Sequence, residues 1–323
     1  MRIGRAAGIT DTGRRRLRNE DAFVCEPPLF AVADGMGGAR AGEVAARLAA
    51  AALEEAGPHV HGAEGIVELI REANRRVWEH SRGDPATAGM GTTVTAALVD
   101  ASSGTVAVGH VGDSRGYLLR DGVLEQLTTD HSLVAELVES GVLTPEEAER
   151  HPQRSAITRA LGTDPTVDVD AFTIDARPGD LFLLCSDGLT TMLADEEIAA
   201  VVEEARGDPG RATKALVAAA NTRGGLDNVT VVVFEILEGD GHEEAAPSED
   251  GTVSIAPEAA QGEREVEHES DPAPDEEVAH GKGEPSAPLS RHGAGSGGRI
   301  ASLLLVLALF AVAGLVLYWG LTR

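Results

Sequence analysis

The chain has 323 residues and carries 27 basic against 53 acidic side chains, a formal charge of −26. Nucleic acid and anionic lipid are both bound by neutralising phosphate, so a chain this acidic is expected to bind no nucleic acid and to offer no broad basic face. Two cysteines, Cys25 and Cys185, exclude a disulfide framework, and no Cys/His cluster offers a structural zinc site.

In chain order, the opening MRIGRAAGITDTG lacks the apolar run of a signal peptide. Short apolar stretches bounded by turn residues then predict strands: DAFVCEP, LFAVADG, GTTVTAALVD, GTVAVGHVGD, RGYLLR, DVDAFTI, DLFLLCSDG and NVTVVVFEIL. Turn signals around residues 102–104 and at Asp121-Gly122 predict hairpins, hence largely antiparallel sheets. Val44, Leu48 and Ala52, then Ile66, Ile70, Ala73 and Val77, recur at helical spacing and predict two consecutive helices. Further helical patterns cover 133–140, 195–205 and 211–221. Helices bunched between groups of antiparallel strands indicate an α+β layered domain over residues 1–237.

Composition changes after that domain. Residues 238–299 are rich in Glu, Asp, Pro, Gly and Ala; up to residue 298 they hold 16 acidic and 3 basic side chains. Such a segment buries too little surface to offset its chain entropy, so it is expected to be a disordered linker. As a coil of about 60 residues it reaches on the order of 40–45 Å. Residues 300–321 read IASLLLVLALFAVAGLVLYWGL, with no charge. As a helix they span about 33 Å against a hydrocarbon core of roughly 30 Å. Tyr318 and Trp319 sit where an interfacial aromatic belt belongs. This segment is expected to be a transmembrane helix acting as a C-terminal anchor in the cell membrane, with the 1–237 domain cytoplasmic.

Several carboxylates stand beside glycine just after an apolar strand: Asp34 in AVADGMGG, Asp113 in HVGDSRG and Asp187 in LLCSDGL. Asp227 in GGLDNVTVVVF stands just before the last strand, and RLRNEDAF adds Arg16, Glu20 and Asp21. A buried strand that delivers a carboxylate into a glycine turn aims an oxygen ligand, and glycine lets a backbone carbonyl approach an ion. Gathered carboxylates repel unless a divalent cation joins them. Hard oxygen ligands suit magnesium or manganese, and two such ions can activate a water for in-line attack. Singly, each motif is ordinary turn chemistry; their joint occurrence is what points to a metal site.

In their order along residues 4–237, the pieces R-x-x-NED, ADGMGG, MGTT, GHVGDSRGYLLR, TTDHS, ITRALG, LLCSDGL and LDNVTVVV resemble the metal-dependent Ser/Thr protein phosphatase family, PPM or type 2C, in its bacterial form. The resemblance implies an αββα sandwich of two antiparallel sheets flanked by helices. It implies that Asp34 bridges two Mn2+ or Mg2+ ions, that the carbonyl of Gly35 serves one ion, and that Asp187 and Asp227 serve the other. Glu20 is implied to meet a metal directly or through water, and Asp113 to serve a third, weaker site. Arg16 is implied to grip the substrate phosphate, with Asp21 orienting Arg16 from behind. The reaction implied is hydrolysis of phosphoserine and phosphothreonine in proteins by a hydroxide on the binuclear metal, without a phospho-enzyme. By family association the partners are phosphoproteins made by membrane Ser/Thr kinases. Two other readings are a non-catalytic metal-binding or phospho-reader scaffold at the membrane, and a narrow phosphatase for one regulatory partner.

One position departs from many eukaryotic relatives. Met36 stands where they carry a histidine proposed as general acid, which leaves the leaving-group acid unassigned. His110 and His131 are expected to be structural. The stretch from His131 to about Leu161 resembles the family's flap beside the active site. Cysteine-based phosphatases need Arg six residues after the nucleophile; here those positions are Ala31 and Thr191, so Cys25 and Cys185 are expected to be buried and inert. A P-loop also fails, because Lys282 has Glu276 where the first glycine must stand.

Overall fold

The computed structural model describes residues 1–37 and 41–239. The acidic linker and the apolar run at 300–321 lie outside the described residues, and among the described residues no helix is long and apolar enough to cross a membrane.

Two antiparallel sheets face each other. The first has the order β1 (Arg2–Asp11), β11 (Val229–Leu237), β10 (Leu181–Cys185), β7 (Arg115–Arg120) and β8 (Val123–Gln126). The second has the order β2 (Asp21–Glu26), β3 (Leu29–Met36), β5 (Val94–Asp100), β6 (Thr105–Val111) and β9 (Asp170–Asp175), with the short β4 (Gly91–Thr92) paired to β3. Helices α1 (Ala41–Ala56) and α2 (Gly62–Gly83) cover the second sheet, while α5 (Asp187–Thr190), α6 (Asp195–Glu204) and α7 (Pro209–Thr222) cover the first. Two short helices, α3 (Leu133–Glu139) and α4 (Pro145–Glu149), lie in the excursion between β8 and β9.

The two-residue period of a strand sorts side chains between layers. In β11, Val229, Val231 and Val233 face α7, whereas Val232, Phe234 and Ile236 face the other sheet. In β3, Ala31 and Ala33 face the helices while Phe30 and Val32 enter the space between the sheets. There Phe234 stacks on Phe30 of the facing sheet at 4.0 Å between ring centroids, and on its own-sheet neighbour Phe182 at 5.1 Å, so the first stack joins the sheets across the core. Both strand faces are buried, so the strands read as continuous apolar runs.

Both predicted hairpins are present: β5 pairs with β6 and β7 with β8. At the second, Asp121 and Gly122 have φ of 51° and 79°, the left-handed pair a two-residue turn requires. The two predicted helices also form, but the buried face of α1 differs from expectation. Ala41, Ala45, Ala46, Ala49, Ala52 and Leu53 are buried, while Val44 and Leu48 are only partly so. The alanine stripe lets α1 lie close on a sheet whose own outer face is rich in alanine. Strand β1 was not among the predicted strands. RIGRAAGITD has no alternation, since β1 is a half-buried edge strand paired only to β11.

Candidate metal and phosphate site

In antiparallel neighbours the end of one strand lies beside the start of the next. Asp21 opens β2 and pairs directly with Asp34 near the end of β3. Asp113 follows β6, Asp187 follows β10, and Asp227 precedes β11. All five aspartates therefore collect at one end of the sandwich, and Glu20 precedes Asp21.

Their proximity is visible in their acidities. Burial holds Asp34 well above the usual carboxylate range, and the charges of Asp21, Asp187, Asp113 and Asp227 push it further. Burial, with help from Asp187, moves Asp113 up to about 7. Burial and Asp227 move Asp187 up to about 6, although Asp34 lies within its hydrogen-bonding reach and Arg16 draws it down. Glu20 is raised by burial.

Gly35 and Gly42 explain how a backbone carbonyl comes to stand among these acids. A Cβ on Gly42 would lie 2.7 Å from the Gly35 carbonyl oxygen and 3.1 Å from Glu20 Cδ. A Cβ on Gly35 would lie 2.1 Å from the Gly42 oxygen and 2.4 Å from the Glu20 oxygen. Only two facing glycines let the start of α1 pass this close to the end of β3.

The arginine and its expected partner are arranged differently from expectation. Arg16 Nη2 donates to Asp227 Oδ2 at 2.7 Å, and this bond is the main reason its acidity falls further. Among the described residues Asp21 makes no hydrogen bond to Arg16. Its Oδ2 accepts from Thr230 Oγ1 at 2.6 Å and from Ser186 Oγ at 2.9 Å, so it ties β2 to β11 and to the turn ahead of α5. Asp21 opens β2, and both of these hydrogen bonds reach to the facing-sheet side of the sandwich. Its acidity moves to about 7, raised by burial against those two hydrogen bonds. Its Oδ1 is buried with no hydrogen-bond partner among the described residues.

Several supporting residues were not singled out by sequence. Asn228 Oδ1 accepts the Glu20 N–H at 2.8 Å, and its Nδ2 donates to the carbonyls of Thr12 at 3.0 Å and Arg18 at 2.8 Å. In sequence, Asp-Asn before a strand looks like ordinary turn chemistry; here the Asn carries the whole 12–20 loop. Asp34 is held by its main chain: its N–H donates to Thr93 Oγ1 at 3.0 Å, and its carbonyl accepts from Thr92 Oγ1 at 2.9 Å. Two adjacent threonines in MGTT, buried at 0% and 1% exposure, were the available signal, because buried hydroxyls need partners.

His131 fixes the turn before Asp113. Its N–H donates to the Gly112 carbonyl at 2.7 Å, and its Nδ1 accepts the Gly112 N–H at 3.0 Å. Nε2 faces Asp170 at 3.1 Å. His110 is buried between Thr95 and the Thr129 carbonyl, and burial pushes it down to about 3. Both imidazoles are enclosed in the fold. The 131–161 excursion is rooted here: Thr158 N–H donates to the His131 carbonyl, and Leu161 and Thr92 exchange backbone bonds at 2.8 and 3.1 Å. Cys185 is buried and Cys25 half-buried, and burial moves their thiols up to about 12 and about 11.

The donors suit hard divalent cations. They are all oxygen, Asp34, Asp113 and Asp187 are held desolvated, and one buried carboxylate oxygen, Asp21 Oδ1, has no hydrogen-bond donor among the described residues. Among the described residues no three His, Cys, Asp or Glu side chains already form a closed cation-binding group. Asp227 spends one oxygen on Arg16 instead. The acids are thus gathered and poised without being collapsed onto one another.

The sandwich and its acidic end define a class. Residues 12–216 match the family model "Protein phosphatase 2C". The chain belongs to the protein phosphatase 2C family. It is 42% identical over 239 residues to the serine/threonine protein phosphatase PstP of Mycobacterium tuberculosis, a match over 73% of this chain but only 46% of that relative's length. It is 40% identical over 238 residues to the serine/threonine phosphatase stp of Listeria monocytogenes, covering 70% of this chain and 93% of the relative. The crystal structure of Mycobacterium tuberculosis PstP/Ppp superposes with a TM-score of 0.69 at 40% identity, over 73% of this chain and 100% of that one. That of the PstP catalytic domain in complex with two manganese ions superposes with a TM-score of 0.67 at 38% identity, over 73% of this chain and 99% of that one.

Proposed function

We propose that this chain is a metal-dependent protein phosphatase that hydrolyses phosphoserine and phosphothreonine. The observation that carries this reading is the convergence of Asp34, Asp187 and Asp227 at one end of the sandwich, with Arg16 bonded to Asp227. PstP, a relative at 38–42% identity, has been crystallised with two manganese ions, which supports carrying the same cofactor over. Asp34, the Gly35 carbonyl, Asp187 and Asp227 would hold two Mn2+ or Mg2+ ions, with Glu20 beside them and Asp113 serving a third. When bound, the ions supply an activated water and offset charge on the phosphoryl group.

The chain's own residues do the rest. Arg16 offers a planar fork to phosphate oxygens. Asn228 and the paired hydroxyls of Thr92 and Thr93 fix where Glu20 and Asp34 stand. Asp21, bonded to Ser186 and Thr230, holds the two sheets in register beneath the acids.

The test is phosphate release from a phosphothreonine peptide by the full chain with Mn2+. We expect turnover that a chelator stops and that Asp34→Ala or Asp187→Ala abolishes. Saturable peptide binding without turnover would favour the scaffold reading instead. We also infer that 300–321 spans a membrane and that the acidic linker tethers the phosphatase there, near kinases whose products it reverses. Membrane fractionation of the full chain against one lacking 300–321 tests the tether; equal partition of both into the soluble fraction would remove it.

A further inference from the structure

The run Arg14-Arg15-Arg16-Leu17-Arg18 contradicts the charge of the chain around it. All five residues are exposed, Leu17 almost entirely at 99%. The loop is nonetheless held firmly. The N–H groups of Arg14 and Arg15 both donate to the Gly225 carbonyl, at 2.7 and 3.2 Å. Asn228 Nδ2 takes the carbonyls of Thr12 and Arg18. Its two ends therefore hang from residues 225 and 228, on either side of Asp227.

Of its four guanidinium groups, Arg16 is engaged by Asp227. Arg14, Arg15 and Arg18 make no salt bridge among the described residues. Four large apolar side chains stand exposed among the described residues, and two of them, Leu17 and Leu226, flank this same Arg16–Asp227 pair. A phosphopeptide reaching the site must approach a cluster of acids. Three unpaired arginines and a leucine at its edge offer an extended anion attraction and in addition an aliphatic contact.

We propose that the 14–18 loop is a substrate-selecting lip that favours phosphopeptides bearing further anionic groups, carboxylate or phosphate, beside the residue being dephosphorylated. The proposal rests on the phosphatase reading above. Exposed guanidiniums add attraction that is modest per charge and screened by salt, so the lip acts as a preference among phosphopeptides. A basic loop tipped with leucine also has the chemistry to meet an anionic lipid surface. The position of Arg16 inside the loop favours the peptide, because one backbone segment then handles both the reacting phosphate and its neighbours.

The full chain with Mn2+ is assayed on four phosphothreonine peptides of one core sequence, flanked by Glu, by a second phosphothreonine, by Ala or by Lys. We expect kcat/KM about tenfold higher for the Glu-flanked than the Lys-flanked peptide at low salt, falling towards parity at about 0.5 M salt. The doubly phosphorylated peptide reports whether phosphate serves better than carboxylate. Substituting Arg14→Gln, Arg15→Gln and Arg18→Gln together keeps the stems and the backbone bonds and should bring the ratio close to one. A wild-type ratio of one, or a ratio that survives the triple substitution, overturns the lip. So does loss of binding to phosphatidylserine vesicles in the triple variant with the peptide ratio unchanged. If no peptide is hydrolysed at all, the phosphatase reading fails, and anisotropy of the same labelled peptides then tests the lip by binding alone.

Discussion

Arg16 and Asp227, 211 positions apart, are joined by a hydrogen bond of 2.7 Å between Nη2 and Oδ2. The bond links the loop ahead of β2 to the turn ahead of β11. Its partners are 51% and 32% exposed, so it adds little to stability. Its value is in placement: the guanidinium proposed above to grip the reacting phosphate lies against a carboxylate of the acid cluster. Arg16→Lys should leave the thermal midpoint within about 2 °C, the shift of a small fraction of a kcal/mol. It should lower kcat/KM on a phosphothreonine peptide by about tenfold to a hundredfold, the scale of one charge-assisted hydrogen bond. Parallel melting and kinetic measurements check both parts.

Asn228 is 4% exposed and makes three hydrogen bonds to the 12–20 loop. Asn228→Ala would strip partners from Glu20, Thr12 and Arg18 at once. We expect a loss of about 2–3 kcal/mol in urea unfolding, together with reduced turnover as Glu20 and Arg16 lose their fixed positions. A stability change below about 0.5 kcal/mol would mean that the loop is held by other contacts.

The raised acidities of Asp21, Asp113 and Asp187 give the chelated protein a defined pH response. Folded values of about 7, 7 and 6 lie above the ordinary value of 3.8, so between these limits the folded state binds more protons than the unfolded one. Stability from these groups is fully present below pH 4 or so and is lost as pH rises through 6 to 7. In EDTA the melting temperature should therefore fall between pH 5 and pH 8, apart from any acid unfolding by other groups. Saturating Mn2+ should reverse the trend above pH 7, because cations favour the ionised carboxylates.

Gly35→Ala is expected to be far more damaging than its size suggests. The new methyl would meet two backbone carbonyl oxygens at 2.1 and 2.4 Å, and neither can swing aside like a side chain. Overpacking of this kind costs roughly 1–3 kcal/mol. Forcing α1 away from β3 should also weaken Mn2+ binding, measurable by calorimetry without any turnover.

Thiol reagents provide a separate check. With burial raising Cys25 and Cys185 to about 11 and about 12, neither is a thiolate at neutral pH. Phosphatase activity should survive iodoacetamide at concentrations that silence cysteine-based phosphatases. Loss of activity together with mass addition at Cys25 would contradict this.

Much of the layered architecture could be read from residues. The runs LFAVADG and NVTVVVFEIL became β3 and β11, and Asp121-Gly122 became the β7–β8 turn. The acidic positions were legible too, because each follows or precedes an apolar run beside a turn. What could not be read was anything decided by distant contact. Strand β1 is specified by its partner β11 and not by its own pattern. The inward face of α1 is its alanines, because the alanine-rich sheet beneath leaves room for close approach and not for Val44. The resemblance implies that Asp21 orients Arg16, whereas the hydrogen bonds Asp21 makes are to Thr230 and Ser186, brought in by the opposite sheet. Asn228 was hidden for the same reason, since its three bonds all cross to the other end of the chain.

Strand β11 lies inside its sheet, paired from end to end with β1 on one side and over Val231–Glu235 with β10 on the other. It begins beside Asp227 and ends at Leu237, where the chain runs on towards the linker. A pull applied at Leu237 along the strand therefore loads both ladders in shear, so that many hydrogen bonds resist together instead of opening one after another. A tether of the kind proposed above would thus pull on a strand paired on both sides, the strand that Asp227 precedes.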